Sequence, residues 1–196
     1  MLHMTLLNQT VSAKLIKVAT FTVLFFTNIL LCSAQNVVKT DTKKVFPIPP
    51  VSKKLLFYVQ RSVNTNTVMY EANLLPNGKL NPEKPVHVYW IKYEDQGKIK
   101  ELNYLDRTLA YGVNCTADIN DKYILNFVAS SKKKPIVFMD KDGIPKAYLT
   151  INKTVCRLEK IFVQAVETSW LPKVDYVDLI GTDIKTGERL TERVYP

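Results

Sequence analysis

Short runs of alternating apolar and polar residues, separated by turn sequences, recur along most of this chain and restrict the folds that it can adopt. In residues 67–74, for example, Val68, Tyr70 and Ala72 occupy alternate positions, which is the period-two pattern of a half-buried strand. Strands are predicted in this way at residues 55–62, 67–74, 86–93, 123–129, 136–139, 147–151, 155–166, 174–180 and 189–194. Short strands at this spacing favour an antiparallel β-sandwich or open barrel.

One segment has the spacing of a helix. Leu102, Leu105 and Leu109 recur at three- and four-residue intervals within residues 101–111, and Gly112 can end a helix there. The sequence therefore predicts a mainly β domain with one short helix, which spans residues 54–196.

The N-terminal residues predict export. Lys14 and Lys17 precede an apolar run at residues 18–31 that is too short and too polar to form a stable membrane span. Small residues follow it, so we expect a signal peptide at residues 1–34, with cleavage after Ala34. The mature protein is then periplasmic or secreted and has no transmembrane segment.

Two alternatives to this cleavage remain open. The apolar run can instead be an uncleaved anchor or a buried helix, although its length argues against a span. Cys32 can instead carry a lipid, as in a lipoprotein, but the residue before such a cysteine should be small and here it is Leu31.

Residues 35–53 have the composition of a lead-in to the domain. They contain four lysines and three prolines and show little apolar periodicity. Prolines favour extended polyproline geometry, so we expect a stiff, solvated segment.

The chain is basic, with a formal net charge of +9. Removing the predicted signal peptide takes away Lys14 and Lys17 and leaves +7. Such a charge favours anionic lipid, polysaccharide or nucleic acid as a partner, but it is also ordinary for an exported protein. Nucleic acid is the least expected partner, because the basic residues are dispersed and export separates the protein from most nucleic acid.

Two cysteines, Cys115 and Cys156, remain after signal cleavage. An oxidising compartment permits a disulfide between them. Two buried free thiols are the alternative, since sequence does not show whether the side chains are close.

The residues needed for most catalytic or metal sites are scarce. His87 is the only histidine outside the predicted signal peptide, whereas a histidine-based zinc site needs several. We therefore predict no catalytic residues, no metal site and no cofactor.

Asp140 and Asp142 fit a tight turn better than a calcium loop. The lysines at residues 132–134 fit a solvated loop, with a phosphate or glycan contact as the alternative.

Polar side chains that could form a site occur at residues 60–68. Arg61 carries a planar set of donors, and Asn64 and Asn66 each carry a donor and an acceptor. If they converge at one end of a sheet, they can hold a sugar or a carboxylate. The alternative is that both asparagines close their own turn and that Arg61 pairs with a carboxylate.

Several motifs together resemble a known family. They are residues 60–68, 86–91, 102–104, 110–113 and 172–176, in this order. With these motifs the chain, from Leu55 to its C-terminus, resembles the exported bacterial family called domain of unknown function 4833. The resemblance implies a bacterial, exported single domain, and it supplies no catalytic or binding residues.

The leading hypothesis is a non-catalytic β domain of the bacterial envelope or cell surface that binds a ligand or a protein partner. Its predicted ligand-binding residues are Arg61, Asn64, Asn66, Tyr89, Trp90 and Arg107. The alternative is a hydrolase or transferase that uses two carboxylates from among Glu71, Asp106 and Asp175. A third hypothesis is a structural component of the envelope.

Overall fold

The computed structural model describes residues 44–166 and 173–196. The predicted signal peptide, Cys32 and the first part of the lead-in lie outside the described residues. No helix in the part of the chain that the structure describes is long and apolar enough to cross a membrane.

Eleven strands within these residues form one sheet, which curls strongly into a half-barrel. This confirms the prediction of a mainly β fold of the sandwich or open-barrel type. The strands are β1 Leu55–Arg61, β2 Asn64–Ala72, β3 Val86–Lys92, β4 Lys98–Glu101, β5 Val113–Asp118, β6 Lys122–Phe127, β7 Ile136–Met139, β8 Pro145–Ile151, β9 Thr154–Val166, β10 Lys173–Asp183 and β11 Arg189–Val194.

The long strand β9 joins two antiparallel groups of strands. β1 to β4 form one group and β5 to β8 form the other. β9 pairs antiparallel with β8 through residues 154–157 and parallel with β1 through residues 160–163. Its other edge pairs antiparallel with β10, which in turn pairs with β11. The parallel pairing departs from the predicted antiparallel sheet, because β1 and β9 are far apart in sequence and no hairpin fixes their direction.

Asparagine forms the tight turn between β8 and β9. Asn152 and Lys153 both have positive φ, 47° and 68°. Two such residues in succession make the type of turn whose twist suits a two-residue hairpin, and asparagine tolerates this conformation better than most residues. The sequence Asn152-Lys153 therefore suits the two-residue hairpin that joins β8 to β9.

The predicted helix at residues 101–111 is present only as a π-helical turn, Asp106–Ala110. Leu102 is buried, but Leu105 and Leu109 are 62% and 69% exposed, so the leucines do not form one buried face. The Tyr111 amide donates to the Asp106 carbonyl five residues earlier at 2.7 Å. Wide turns of this kind often lie beside functional sites.

The chain leaves this turn through Gly112. A Cβ atom at this position would clash with the Arg107 carbonyl oxygen, so a glycine is required here for steric reasons.

Residues 44–50, within the described part of the lead-in, lie against the sheet. The Gln60 side chain donates to the Pro47 carbonyl at 2.7 Å, and the Phe46 ring packs edge-on against Phe162 at 5.2 Å. Val45 and Ile48 remain exposed. This segment is therefore attached to the domain along one side only.

Candidate ligand-binding cavity

The two asparagines of the predicted site hold the β1–β2 hairpin. The Asn64 side chain accepts from the Asn66 amide at 3.2 Å. The Asn66 side chain donates to the Glu94 carboxylate at 3.0 Å and accepts from the Glu94 amide at 3.2 Å. Asn64 thus closes its own turn, as the alternative hypothesis predicted, whereas Asn66 attaches β2 to the segment after β3 through Glu94.

Tyr89 and Arg107 lie near a different carboxylate, that of Glu101. Tyr89 pairs with Glu101 across β3 and β4, and Arg107 donates to Glu101 at 3.3 Å. His87 Nε2 lies 2.7 Å from the same carboxylate. Burial, together with Glu71, raises the pKa of Tyr89 to about 12. The Arg107 and Glu101 side chains are more than half exposed, so this ion pair is solvated and contributes little to stability.

Arg61 and Trp90 are the two predicted residues that the structure brings into contact. The Arg61 guanidinium carbon lies 5.3 Å from the centre of the Trp90 ring and 5.5 Å from that of Tyr111, within the range of a cation–π interaction. The Trp90 indole donates to Asp106 at 3.1 Å. Arg61 Nε is buried and has no hydrogen-bond partner within the described residues.

The register of the sheet places Arg61 in a row with three valines. Arg61 pairs with Val163 across β1 and β9. Val163 pairs with Val177, and Val177 pairs with Val194. Paired residues in neighbouring strands point to the same face of a sheet. Arg61 and these valines therefore share one face, and we call them the Arg61 row.

That face borders a cavity of about 630 Å³. The volume lies within the roughly 300–1,000 Å³ that small-molecule sites occupy. Most of its lining is apolar and comes from several strands and from the segment that follows the π turn; it includes Val59, Tyr111, Phe127, Leu149, Ile161, Val163, Val177, Leu179 and Val194. The curl of the sheet therefore encloses a space that an apolar molecule could fill.

Aromatic residues form one part of the cavity wall. Tyr70 stacks on Phe57 with ring centres 4.5 Å apart, and Phe127 meets both rings edge-on. The Tyr70 hydroxyl donates to the Tyr111 carbonyl at 2.7 Å, and burial raises the pKa of Tyr70. This hydroxyl already has its partner, so the wall here presents ring surface.

Two lysines of the 132–134 run also line the cavity. Lys133 lies 2.8 Å from one oxygen of Glu192 and 2.9 Å from the other. Lys132 donates to the uncharged Tyr195 carbonyl at 2.8 Å. Lys133 is therefore ion-paired, whereas Lys132 contacts an uncharged group at the margin of the cavity.

The three carboxylates of the alternative hypothesis make separate contacts. Glu71 accepts from Ser52 at 2.8 Å on β2, Asp106 accepts from Trp90, and Asp175 is exposed on β10. None of the described residues that line the cavity is acidic. Among the described residues, no cluster of three histidine, cysteine, aspartate or glutamate side chains could hold a metal ion.

Cys115 and Cys156, the two cysteines of the described residues, carry free thiols. Cys115 lies on β5 and Cys156 on β9, and three strands separate them in the sheet. Of the two states that the sequence left open, the structure has the free thiols. Burial raises the pKa of Cys115 to about 11 and also raises that of Cys156.

The fold and cavity define a class of protein: a curled β half-barrel domain with an apolar cavity that has cationic residues at its margin. The chain belongs to the family described as Domain of unknown function (DUF4833), whose model matches residues 57–193. This match confirms the resemblance seen in the motifs. No curated protein and no solved structure gives a significant match to the chain.

Proposed function

We propose that this protein is a non-catalytic binding domain that takes an apolar small molecule into its half-barrel cavity. The observation that carries the proposal is the cavity of about 630 Å³ with its mainly apolar lining. Cavities of this kind, with a few polar groups at defined positions, are the usual form of a small-molecule site. An apolar ligand would gain the free energy of leaving water, about 25 cal/mol for each Å² that it buries.

We also propose that the domain acts outside the cytoplasm, in the bacterial envelope or in the medium. The arrangement of Lys14, Lys17, the apolar run and Ala34 supports this. Expression of the full chain in a bacterial host, followed by mass spectrometry of the exported fraction, should find Gln35 at the N-terminus. A product that retains its first 34 residues, or that carries a lipid on Cys32, would contradict this cleavage.

Binding can be tested with N-phenyl-1-naphthylamine, an uncharged dye that fluoresces in apolar surroundings. We expect saturable fluorescence with the wild-type protein and displacement of the dye by dodecanol. Val177→Trp places an indole in the cavity and should weaken dye binding at least tenfold. The matched control is Val155→Trp, because Val155 is 48% exposed on β9 and does not line the cavity; it should bind as the wild type does.

Melting temperatures of both variants show whether each is folded. If the larger side chain unfolds the protein, Ile161→Phe provides a smaller change in the same wall. An absence of dye binding by the wild type, or equal binding by folded Val177→Trp, would show that the cavity is not a ligand site. A stable complex isolated with an envelope protein, without dye binding, would favour a structural role.

A further inference from the structure

Four basic residues lie near Trp90, towards the β4 edge of the sheet. The Arg61 guanidinium carbon lies 5.3 Å from the centre of the Trp90 ring, and the Lys92 ammonium nitrogen lies 3.8 Å from the same centre. Lys100 pairs with Trp90 across β3 and β4, and Lys98 pairs with Lys92. We call Arg61, Lys92, Lys98 and Lys100 the Trp90 cation cluster.

The register of the sheet places the three lysines of this cluster on one face. Paired residues in neighbouring strands share a face, and residues two apart in a strand share it as well. Lys92 is two residues from Trp90, and Lys98 is two residues from Lys100, so all three lysines lie on the face of the Trp90 ring. Because both distances to the ring are measured to the same point, the charges of Arg61 and Lys92 are no further apart than their sum, about 9 Å. This separation is within the Debye length of roughly 10 Å at 0.1 M salt.

The charges of the Trp90 cation cluster repel one another. Like charges directly opposite on neighbouring strands are destabilising, and Lys92 and Lys98 form such a pair. Partial burial is the main reason that the pKa of Lys92 lies below its ordinary value, and the charges of Arg61 and Lys100 act in the same direction. The cluster is therefore unfavourable for folding unless an anion accompanies it.

The nearby carboxylates do not pair with the cluster. Asp106 and Glu94 oppose the lowering of the pKa of Lys92, but each already accepts a hydrogen bond from another residue. None of the four cations forms a salt bridge within residues 44–166 and 173–196. The Arg61 Nε atom is buried and has no hydrogen-bond partner there, and a buried donor left unpaired is costly. The cluster thus has both charge and a donor to offer to a ligand.

A role in guarding the sheet edge explains only part of the cluster. Lysines on an edge strand discourage pairing with other chains, and Lys98 and Lys100 lie on β4, at one end of the strand order. Lys92 and Arg61 lie on the inner strands β3 and β1, where this explanation does not apply. An anion site accounts for all four residues, since arginine and lysine are the side chains that bind phosphate.

We infer that the Trp90 cation cluster binds closely spaced phosphate groups, as in a diphosphate. One phosphate group carries about two negative charges at pH 7, so two adjacent groups match four cations better than one group does. A soluble phosphate compound or the phosphate headgroups of a membrane surface could supply them. The inference is independent of the proposed function, because none of the four cations is among the described residues that line the apolar cavity.

Titration calorimetry with sodium pyrophosphate and with sodium phosphate tests the inference, at pH 7.5, at equal ionic strength and without divalent cations. We expect the wild type to bind pyrophosphate at least about tenfold more tightly than phosphate. The affinity should fall as salt rises, since ions screen the charges. Polyphosphate and vesicles of phosphatidylglycerol, added as competitors of bound pyrophosphate, distinguish a soluble source of the phosphate groups from a membrane source.

Removing two of the charges should abolish the site without harming the fold. We expect Lys92→Gln combined with Lys98→Gln to weaken pyrophosphate binding at least about tenfold. In the absence of the anion this double variant should melt at the same temperature as the wild type or higher, because the repulsion between the two lysines is gone. Lys122→Gln is the matched control, since Lys122 lies over the Phe138 ring at 5.1 Å on β6; it should bind as the wild type does.

Three results would contradict the inference: no pyrophosphate binding by the wild type, equal affinity for phosphate and pyrophosphate, or wild-type affinity in the folded double variant. A double variant that aggregates yet still binds pyrophosphate as the wild type does would show that the lysines only guard the edge. If the double variant is unfolded by its melting curve, Lys98→Gln alone must weaken binding severalfold, because Lys98 is exposed on β4. These measurements use no dye, so their failure leaves the proposed function standing.

Discussion

Gln60 is a polar side chain that lies almost wholly inside the protein, with 1% of its surface exposed. Its amide nitrogen donates to the Pro47 carbonyl at 2.7 Å and to the Thr67 hydroxyl at 3.0 Å. A buried amide of this kind is stable only with its partners in place. At the scale of single residues, Gln60 therefore joins the lead-in to the first hairpin.

Replacing Gln60 by leucine keeps the size of the side chain but removes both hydrogen bonds. We expect Gln60→Leu to lower the free energy of unfolding by about 1–3 kcal/mol, because Pro47 and Thr67 are left with unpaired polar groups. Trypsin should also cleave more readily after Lys44, which now lies next to a detached segment. Urea unfolding and timed proteolysis measure the two effects.

Gln164→Leu is the control for this substitution, since Gln164 is half-buried on β9 and makes no side-chain hydrogen bond within the described residues. It should change the unfolding free energy by less than about 0.5 kcal/mol. Equal stability of Gln60→Leu and the wild type would show that the Pro47 contact does not hold the lead-in.

At the scale of elements, Glu192 attaches β11 to two loops. Its carboxylate contacts the Lys133 ammonium and accepts from the Asn152 amide, in the β8–β9 turn, at 2.7 Å. The hydrogen bond from Lys133 is the main reason that the pKa of Glu192 lies below its ordinary value, and the Asn152 amide acts in the same direction. An edge strand with few neighbours is thus held by a partly buried ionic contact.

This lowered pKa predicts how stability depends on pH. Because the folded protein holds the carboxylate ionised more strongly than the unfolded chain does, the contribution is complete above the unfolded pKa of about 4.3. It is lost as the pH falls through the lower folded value. Glu192→Gln should therefore be less stable than the wild type at pH 7 by about 1–3 kcal/mol, with the difference shrinking towards pH 3.

Urea unfolding at pH 7, 5 and 3 provides the measurement. Glu188→Gln is a suitable control, since Glu188 is exposed just before β11 and forms no salt bridge within the described residues. A difference between Glu192→Gln and the wild type that stays constant with pH would contradict the ionic role of Glu192.

At the scale of the whole molecule, the half-barrel places Cys115 and Cys156 on strands that are not neighbours, and it buries their side chains partly or wholly. Cys156 is fully buried and Cys115 is partly buried. A pKa of about 11 for Cys115 leaves, at pH 8, about a hundredfold less reactive thiolate than its ordinary value of 9.0 would give. The folded domain therefore protects its thiols by burial and not by a disulfide.

We expect iodoacetamide at pH 8 to label both cysteines slowly in the folded protein and rapidly once urea unfolds the domain, without any reductant. Peptide-resolved mass spectrometry follows Cys115 and Cys156 separately. If neither cysteine of the unfolded chain is labelled until a reductant is added, a disulfide is present and the free thiols of the structure are wrong.

Much of the sheet could be predicted from the sequence, because strands with one buried face carry the period-two pattern. Two strands were missed for a physical reason. All four residues of β4 are exposed, so this edge strand has no apolar face to reveal it, and β5 has only small or partly exposed apolar residues. The spacing of Leu105 and Leu109 predicted a buried helical face. The hydrogen bond from Trp90 to Asp106 instead holds a short turn, in which both leucines are exposed.

The cavity could not be predicted from the pattern. Alternation in β9, β10 and β11 shows that Val163, Val177 and Val194 share an apolar face, but not that the curl leaves a space beside it. The sequence did single out Arg61 and Trp90, and the structure brings them into contact, but neither lines the cavity. The hydrogen bond from Lys132 to the Tyr195 carbonyl joins residues that are 63 positions apart, and no local signal in the sequence connects them.

The position of β9 between β1 and β8 has a consequence for synthesis of the chain. One edge of β1 stays open until residues 160–163 have been made, about 100 residues later, whereas β8 finds its partner in residues 154–157, directly after its own turn. Contacts so distant in sequence slow folding, and open strand edges bind other chains. A growing chain that stops before β9 should therefore aggregate, and holdase chaperones that cover strand edges should raise the yield of folded protein.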